Sequence, residues 1–516
     1  MSRLRLLAAL FASATGVLVL SAPVAAQENN DPVALPDALA SQPMRPLSLQ
    51  EALAIAIENN LGIQIQSEQI AIGKASIRAS EGGFEPTLRA SVNHNDSISP
   101  PASSVDGMLG QTFESQNQRW SANLGQRLST GTTLSLDFSS SRNKNNSGSA
   151  VEPLFYGTNL AVSITQPLLK GFSLDREIPR ASILKAKFAS KKDLEAKRIV
   201  IANHVQTTEN AYWNLAEAAR SYAVQEASLT LAQEQLLLTE KQIAAGIMAP
   251  ADKISSESSV AQRELSLVQS EARLAGAMDS LRIALNLPKD GWNDTLIAVD
   301  MPQIAPQTLS IDEAMALALE QRPEIHQNRL DQKSADIDMR IADNNRLPEL
   351  GVGFSYGLAG QSTVYSGSLD QLQGLGARNW GVFANLSWSP LGQVAKANAA
   401  SLQSANTIRK LQYEQFLIGL RSEIRAALRT LETAERQVAA SVRFRGLSER
   451  SLEAERKRFL NGKSRNLEVS RREEELAQAQ TAEISARIAF LKAKSALDLA
   501  TGSLLANKNI RLEQRK

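Results

Sequence analysis

The chain has 516 residues, 5% of them aromatic, with 56 Lys and Arg against 54 Asp and Glu for a net charge of +2. Balanced, well-mixed charge argues against a nucleic-acid partner, and so few aromatics leave little bulky material for several compact cores. The absence of cysteine excludes disulfides, thiolate metal sites, cysteine nucleophiles and an N-terminal lipid-modified cysteine.

Met1 to Arg5 is a short basic segment, Leu6 to Leu20 an apolar run, and Val24-Ala25-Ala26 a small-residue cleavage site. This pattern predicts a secretory signal peptide over 1–26, cut after Ala26. A retained anchor fits less well, because the apolar run is short and ends in Ser21-Ala22-Pro23. Further on, no stretch is long and apolar enough to predict a membrane-spanning helix. An extended leader is expected over 27–46.

Leu47-Ser48-Leu49-Gln50-Glu51-Ala52-Leu53 recurs as Leu309-Ser310-Ile311-Asp312-Glu313-Ala314-Met315, and the offset of 262 residues holds as far as Pro86 with Pro348 and Leu88 with Leu350. Each copy opens with a capping box, Ser48 with Glu51 and Ser310 with Glu313, ahead of an apolar stripe at helical spacing. The chain is therefore an internal duplication. The first repeat is expected over 47–288, a Pro-containing connection over 289–308, the second repeat over 309–502 and a tail over 503–516.

In the first repeat a helix is predicted from Ser48 to Glu81, stopped by Gly82-Gly83. Barrel strands are expected between about 86 and 168. Leu88 and Val92, then Trp120 and Leu124, then Leu134, Leu136 and Phe138, then Leu160, Val162 and Ile164 alternate with polar or small residues, a period of two with one apolar face. Ser129-Thr130-Gly131-Thr132 reads as a tight hairpin turn. A helical hairpin follows over about 177–286, its first arm on the order of 100 Å long, broken at Gly246 to Pro250. The second repeat follows the same plan. Pro323 should kink or break its first helix. Strands over about 349–390 carry Val352, Phe354, Trp380, Val382 and Leu386 on the apolar side, and a hairpin over about 394–500 breaks at Asn461 to Ser464.

Strands of about ten residues, greasy on one face and Ser/Asn/Thr/Gly on the other, suit a membrane barrel with lipid outside and water inside. A soluble sandwich with a polar outer face is the competing arrangement for the strands, and a long solvated coiled coil for the helices. Four or six strands cannot close a wide barrel, and open edges are not tolerated in lipid, so several chains must pool their strands. The predicted lipid-facing set is Leu88, Val92, Leu134, Leu136, Phe138, Leu160, Val162, Ile164, Val352, Phe354, Trp380, Val382 and Leu386. Trp120, Tyr356, Trp380 and Trp388 suit interfacial girdles or barrel packing.

The order of these motifs resembles the TolC family of outer-membrane efflux and secretion channels. The doubled Leu-Ser-Leu-x-Glu-Ala start carries the resemblance, with Phe84-Glu85-Pro86, Gln166-Pro167-Leu168, Ala211-Tyr212-Trp213-x-Leu215 and the glycine turns at Gly246 and Gly462. The resemblance implies a mainly α fold with a transmembrane β-barrel: a homotrimeric α-barrel tunnel plus one shared outer-membrane barrel. It implies an outer-membrane location with a long periplasmic domain, no cofactor, and two kinds of partner, a periplasmic adaptor protein and an inner-membrane pump or ABC exporter. The periplasmic mouth and adaptor docking site would then lie at Gly246, Pro250 and Asp252 and at Gly462, Lys463, Arg465 and Glu468. Family members usually supply two strands per repeat, whereas the first repeat here holds four. An eighteen-stranded barrel is the expectation, with a hairpin lying outside the barrel as the alternative. Relatives often ring the mouth with acidic residues, but the second turn here is mixed and basic.

Gly462-Lys463-Ser464 misses a phosphate loop, because Lys457 stands where glycine is required. His94, His204 and His326 are too scattered for a readable metal site or triad. The chain therefore reads as a passive conduit rather than an enzyme, with a poreless periplasmic coiled-coil scaffold or adaptor as the alternative.

Overall fold

The computed structural model describes Pro36 and residues 43–100, 112–147, 150–246, 248–301, 304 and 309–510. The segment read as a signal peptide and nearly all of the leader lie outside these residues. In chain order the elements are β1 (Met44–Leu47), α1 (Leu49–Asn59), α2 (Leu61–Glu81), β2 (Thr87–Ser99), β3 (Phe113–Arg127), β4 (Thr133–Asn145) and β5 (Leu154–Pro167). Then come α3 (Ala181–Ala244), α4 (Ala251–Leu285), β6 (Thr295–Ala298), α5 (Ile311–Gln321), α6 (Pro323–Asn344), β7 (Glu349–Ser362) and α7 (Tyr365–Gln373). The chain continues with β8 (Arg378–Ser387), α8 (Gln393–Leu460), α9 (Asn466–Thr501) and α10 (Leu504–Asn507). The fold is mainly helical with one large antiparallel sheet.

Both capping boxes form: the Ser48 and Ser310 hydroxyls accept the N–H groups of Glu51 and Glu313, whose carboxylates accept the cap N–H groups in return. Two expectations for the starting helices fare differently. Pro323 does break its helix, sitting at the first position of α6 where its missing N–H costs nothing. The unbroken helix expected over Ser48 to Glu81 is in fact two helices. Asn60 ends α1 with extended backbone and caps α2, its side chain accepting Ile63 N–H at 2.8 Å. Asn60 stands at the same 262-residue offset from Arg322, the residue between α5 and α6, so the break belongs to both repeats.

Three further segments depart from expectation. The connection over 289–308 holds β6, which pairs in parallel with β1 from the end of the expected leader, Met44 opposite Thr295 and Leu47 opposite Ala298. The loop between the strands of the second repeat contains α7. Strand β8 ends at Ser387, one residue short of Trp388.

The largest core lies at the waist, where β1, β6, α1, α3, α4 and α9 bring together Leu47, Tyr212, Trp213, Leu274, Met278, Leu281, Leu285, Leu296 and Ile488. Above and below it the helices form a single-layered wall. Toward the sheet the lateral order is α2–α3–α6–α8; away from it the order is α8–α9–α3–α4. Small residues such as Ala434, Ala477, Ala479, Ala486 and Ala493 lie buried along these seams, allowing close helix approach.

Candidate functional site

The sheet runs in the order β2-β3-β4-β5-β7-β8, every neighbour antiparallel. Its register aligns Leu88, Leu124, Leu136, Val162, Tyr356 and Trp380 in one row across all six strands, and Gln126, Leu134, Ile164, Phe354 and Val382 in the next. Because side chains alternate with a period of two, Val92, Phe138, Leu160, Val352 and Leu386 share that face. All residues of the predicted lipid-facing set therefore sit on one side, exposed or half-buried.

The opposite face is mostly small and polar, with Arg89, Arg119 and Phe383 among its larger members. One of its rows reads Thr87, Gly125, Ser135, Ser163, Ser355 and Gly381. Hydrogen bonds lace it: Ser91 to Ser121 at 2.7 Å, Asn123 Nδ2 to Asp137 Oδ1 at 2.5 Å and Ser135 to Ser163 at 2.8 Å. The glycines at 353 and 357 have a packing explanation here. The Phe383 ring lies over Gly353 and the Asn379 side chain over Gly357, where a Cβ would collide with either.

At the far end of the helical wall the two hairpin turns lie side by side. Gly246 and Gly462 adopt φ values of +73° and +68°, which any residue with a Cβ resists. Pro250 precedes α4 and Asp252 lies in its first turn; Arg465 precedes α9 and Glu468 lies in its first turn. A buried polar node joins the turns. Asn466 donates to Ser256 Oγ at 2.5 Å and Thr239 Oγ1 at 3.2 Å, and accepts from Gln235 Nε2 at 2.7 Å. Leu452, Phe459 and Val469 pack beside it. The sequence reading missed this node; its only trace was polar residues on otherwise Ala-rich stripes.

Ion pairs account for part of the basic character of the second turn. Lys457 bonds Glu453 at 2.7 Å, and Arg456 bonds the buried Glu473 at 2.7 Å. Burial pushes the Glu473 carboxyl up, against the pull of Arg456. Lys463 and Arg465 are exposed and make no ion pair among the described residues. No cluster of potential metal ligands occurs among the described residues, and no helix there is long and apolar enough to cross a membrane.

Exposed apolar side chains mark the lateral ends of the wall. Leu61, Ile65 and Ile72 on α2 and Ile254, Leu265, Val268 and Ile283 on α4 form one end; Val394, Ile408, Leu411, Ile418, Leu447 and Leu460 on α8 form the other. The internal helices carry few among the described residues: Leu194 and Leu237 on α3 and Leu467 on α9. The sheet ends on matching sides, since β2 follows α2 and β8 leads into α8.

Residues 314–503 match the family model described as outer membrane efflux protein. No curated protein gives a significant match. Among solved structures, a membrane protein from Pseudomonas aeruginosa is 18% identical, with a TM-score of 0.64 over 88% of this chain and 93% of its own. The CmeC outer membrane channel of Campylobacter jejuni is 14% identical, with a TM-score of 0.62 over 88% of this chain and 86% of its own. The MtrE outer membrane channel of Neisseria gonorrhoeae, solved in an open state, is 17% identical, with a TM-score of 0.58 over 88% and 89%.

Proposed function

From a fold shared with TolC-like outer-membrane efflux channels, and a second repeat matching the outer membrane efflux protein family, we infer that this chain forms the exit duct of a tripartite efflux or type I secretion system. Three copies close into one tube, a β-barrel in the outer membrane above an α-helical tunnel in the periplasm. The observation that carries this reading is the alignment of edges. Sheet and helical wall both stop at the same two sides, and the exposed apolar side chains of the helical wall are concentrated there.

Such edges differ from one another, so they suit a head-to-tail interface that closes by rotation rather than a two-fold dimer. Closure would also satisfy the free N–H and C=O groups of β2 and β8, which lipid cannot hydrate. The polar face of the sheet would then line the pore. In this reading transport is passive, driven by an inner-membrane pump or exporter through a periplasmic adaptor. The adaptor would dock at the paired hairpin turns, where exposed Lys463 and Arg465 offer unpaired cations.

The test is fractionation of cells expressing the full chain, followed by planar-bilayer recording. Heat-modifiable trimers in the outer membrane that conduct ions are expected. A freely soluble periplasmic monomer without conductance would favour the scaffold reading instead.

A further inference from the structure

Resting on the trimeric duct, we propose that the β3–β4 hairpin is part of the membrane wall, so that three copies of six strands close an eighteen-stranded barrel with a wide, water-filled outer pore. Three independent features of this chain support it. First, the ladder is continuous. Strand β3 pairs with β2 from Ser99–Phe113 to Thr87–Gly125, and β4 pairs with β5 from Lys144–Leu154 to Thr133–Thr165. A hairpin projecting from the barrel would leave β2 and β5 to pair with each other.

Second, the two faces pass through the hairpin without inversion. Leu124 and Leu136 continue the apolar row of Leu88 and Val162, while Ser121 and Ser139 continue the polar row of Ser91 and Asn159. A shift by one residue would exchange the faces, so this continuity requires a fixed register. The polar face is tied across the seams on both sides of the hairpin, by Ser91–Ser121 and by Ser135–Ser163.

Third, the tight turn is seated at the helical end of the sheet. Gly131, at φ +88°, lies so close that a Cβ would come within 2.9 Å of the Gly171 carbonyl oxygen and 3.3 Å of Pro167, and Thr132 Oγ1 donates to Gln166 Oε1 at 2.5 Å. The opposite ends of these strands, where Ser99 pairs with Phe113 and Lys144 with Leu154, point away from the helices, as the outer ends of barrel strands do.

Barrel diameter grows about linearly with strand number, so eighteen strands make a pore roughly 1.5 times as wide as twelve. The row of Thr87, Gly125, Ser135, Ser163, Ser355 and Gly381 contributes no bulky side chain to that pore, while Arg89, Arg119 and Phe383 stand on other rows of the same face. Cargo size would then be limited at the helical mouth and by the partners, and not by the outer barrel.

The natural absence of cysteine makes the test direct. Single variants Ser121→Cys and Ser139→Cys on the polar face, and Leu124→Cys and Leu136→Cys on the apolar face, are labelled in intact outer membranes with a membrane-impermeant maleimide. Conductance and trimer content are recorded for each. Labelling at least about tenfold faster at the two serine positions is expected for strands with one face in lipid. The near-isosteric double variant Ser91→Cys/Ser121→Cys should also form an intrasubunit disulfide in conducting trimers. Conducting trimers with equal labelling at all four positions and no such disulfide would overturn the wide barrel and leave the duct intact. Absence of both trimers and conductance would overturn the duct reading along with it.

Discussion

Asp498 on α9 is 5% exposed, and its burial drives the carboxyl upward, against the pull of an Asn507 hydrogen bond and of Lys494 and Lys508. A carboxyl whose folded pKa is raised binds its proton more tightly in the native state. Its contribution to stability is therefore full below the unfolded value and is lost as pH rises through the folded one. Asp498→Asn should melt higher than the parent at neutral pH, with the gap closing toward about pH 4, near the ordinary carboxylate value. Thermal unfolding followed by circular dichroism across that range checks the sign. Close by, the buried Glu209 accepts from Lys508 Nζ at 2.5 Å and Ser495 Oγ at 2.7 Å. Lys508→Ala leaves that carboxylate buried without its cation, and should cost roughly 3 kcal/mol. Denaturant melts of the two variants should thus move in opposite directions. Tyr212 fixes the waist in a third way. Its hydroxyl lies 3.0 Å from the Leu47 carbonyl oxygen and 2.7 Å from Asp300 Oδ2, and it accepts Asp300 N–H at 3.1 Å. Burial raises its pKa well above the usual phenol value, so it stays a neutral donor.

Among the elements, the hairpin ends are tied together by the node at Asn466. Asn466→Ala would leave Thr239 and Ser256 without their shared partner in a buried seam, a loss of about 1–3 kcal/mol. The loss should stay local: faster amide exchange is expected over 235–256 and 466–470, with the waist unchanged. Uniform exchange along α3 would show that the node has no separate role. The turn between β3 and β4 is more constrained, since Gly131 combines positive φ with backbone contact at Gly171. Gly131→Ala should lower the yield of assembled barrel, read on heat-modifiability gels. Much at this scale was legible in the sequence. Capping boxes, alternating strand runs and glycine turns are local codes, so both hairpins and all six sheet strands could be read directly. The break at Asn60 was not, because an asparagine within an amphipathic run also fits an unbroken helix. The β1–β6 pair is four residues long on each strand and joins segments about 250 residues apart, too short and too distant to leave a periodic trace. Helix α7 escaped for a related reason, its nine residues being mostly polar and interrupted by Ser366-Gly367-Ser368.

For the whole molecule, the decisive property is that the wall stops. Exposed Leu411 and Ile418 on α8 face no element among the described residues, and an acidic residue at either should leave each subunit folded. Leu411→Glu is expected to keep the helical circular dichroism signal while abolishing trimers in the outer membrane; retained trimers would move the subunit contact elsewhere. The sequence announced the need for several chains, since its few half-greasy strands could not close a barrel alone. Which helices form the edges was not readable, because the periodicity of α2, α4 and α8 marks an apolar stripe without naming its partner.

Two unlike borders carry a genetic consequence. A subunit spoiled on one border still offers its intact border to a normal neighbour, so it is admitted to the growing assembly and then blocks its completion. Such alleles should act dominantly. With equal synthesis and random mixing of normal and spoiled copies in threes, only roughly one assembly in eight would be wholly normal. Outer-membrane conductance in merodiploid cells would then fall far below half, whereas an allele that merely unfolds should be recessive.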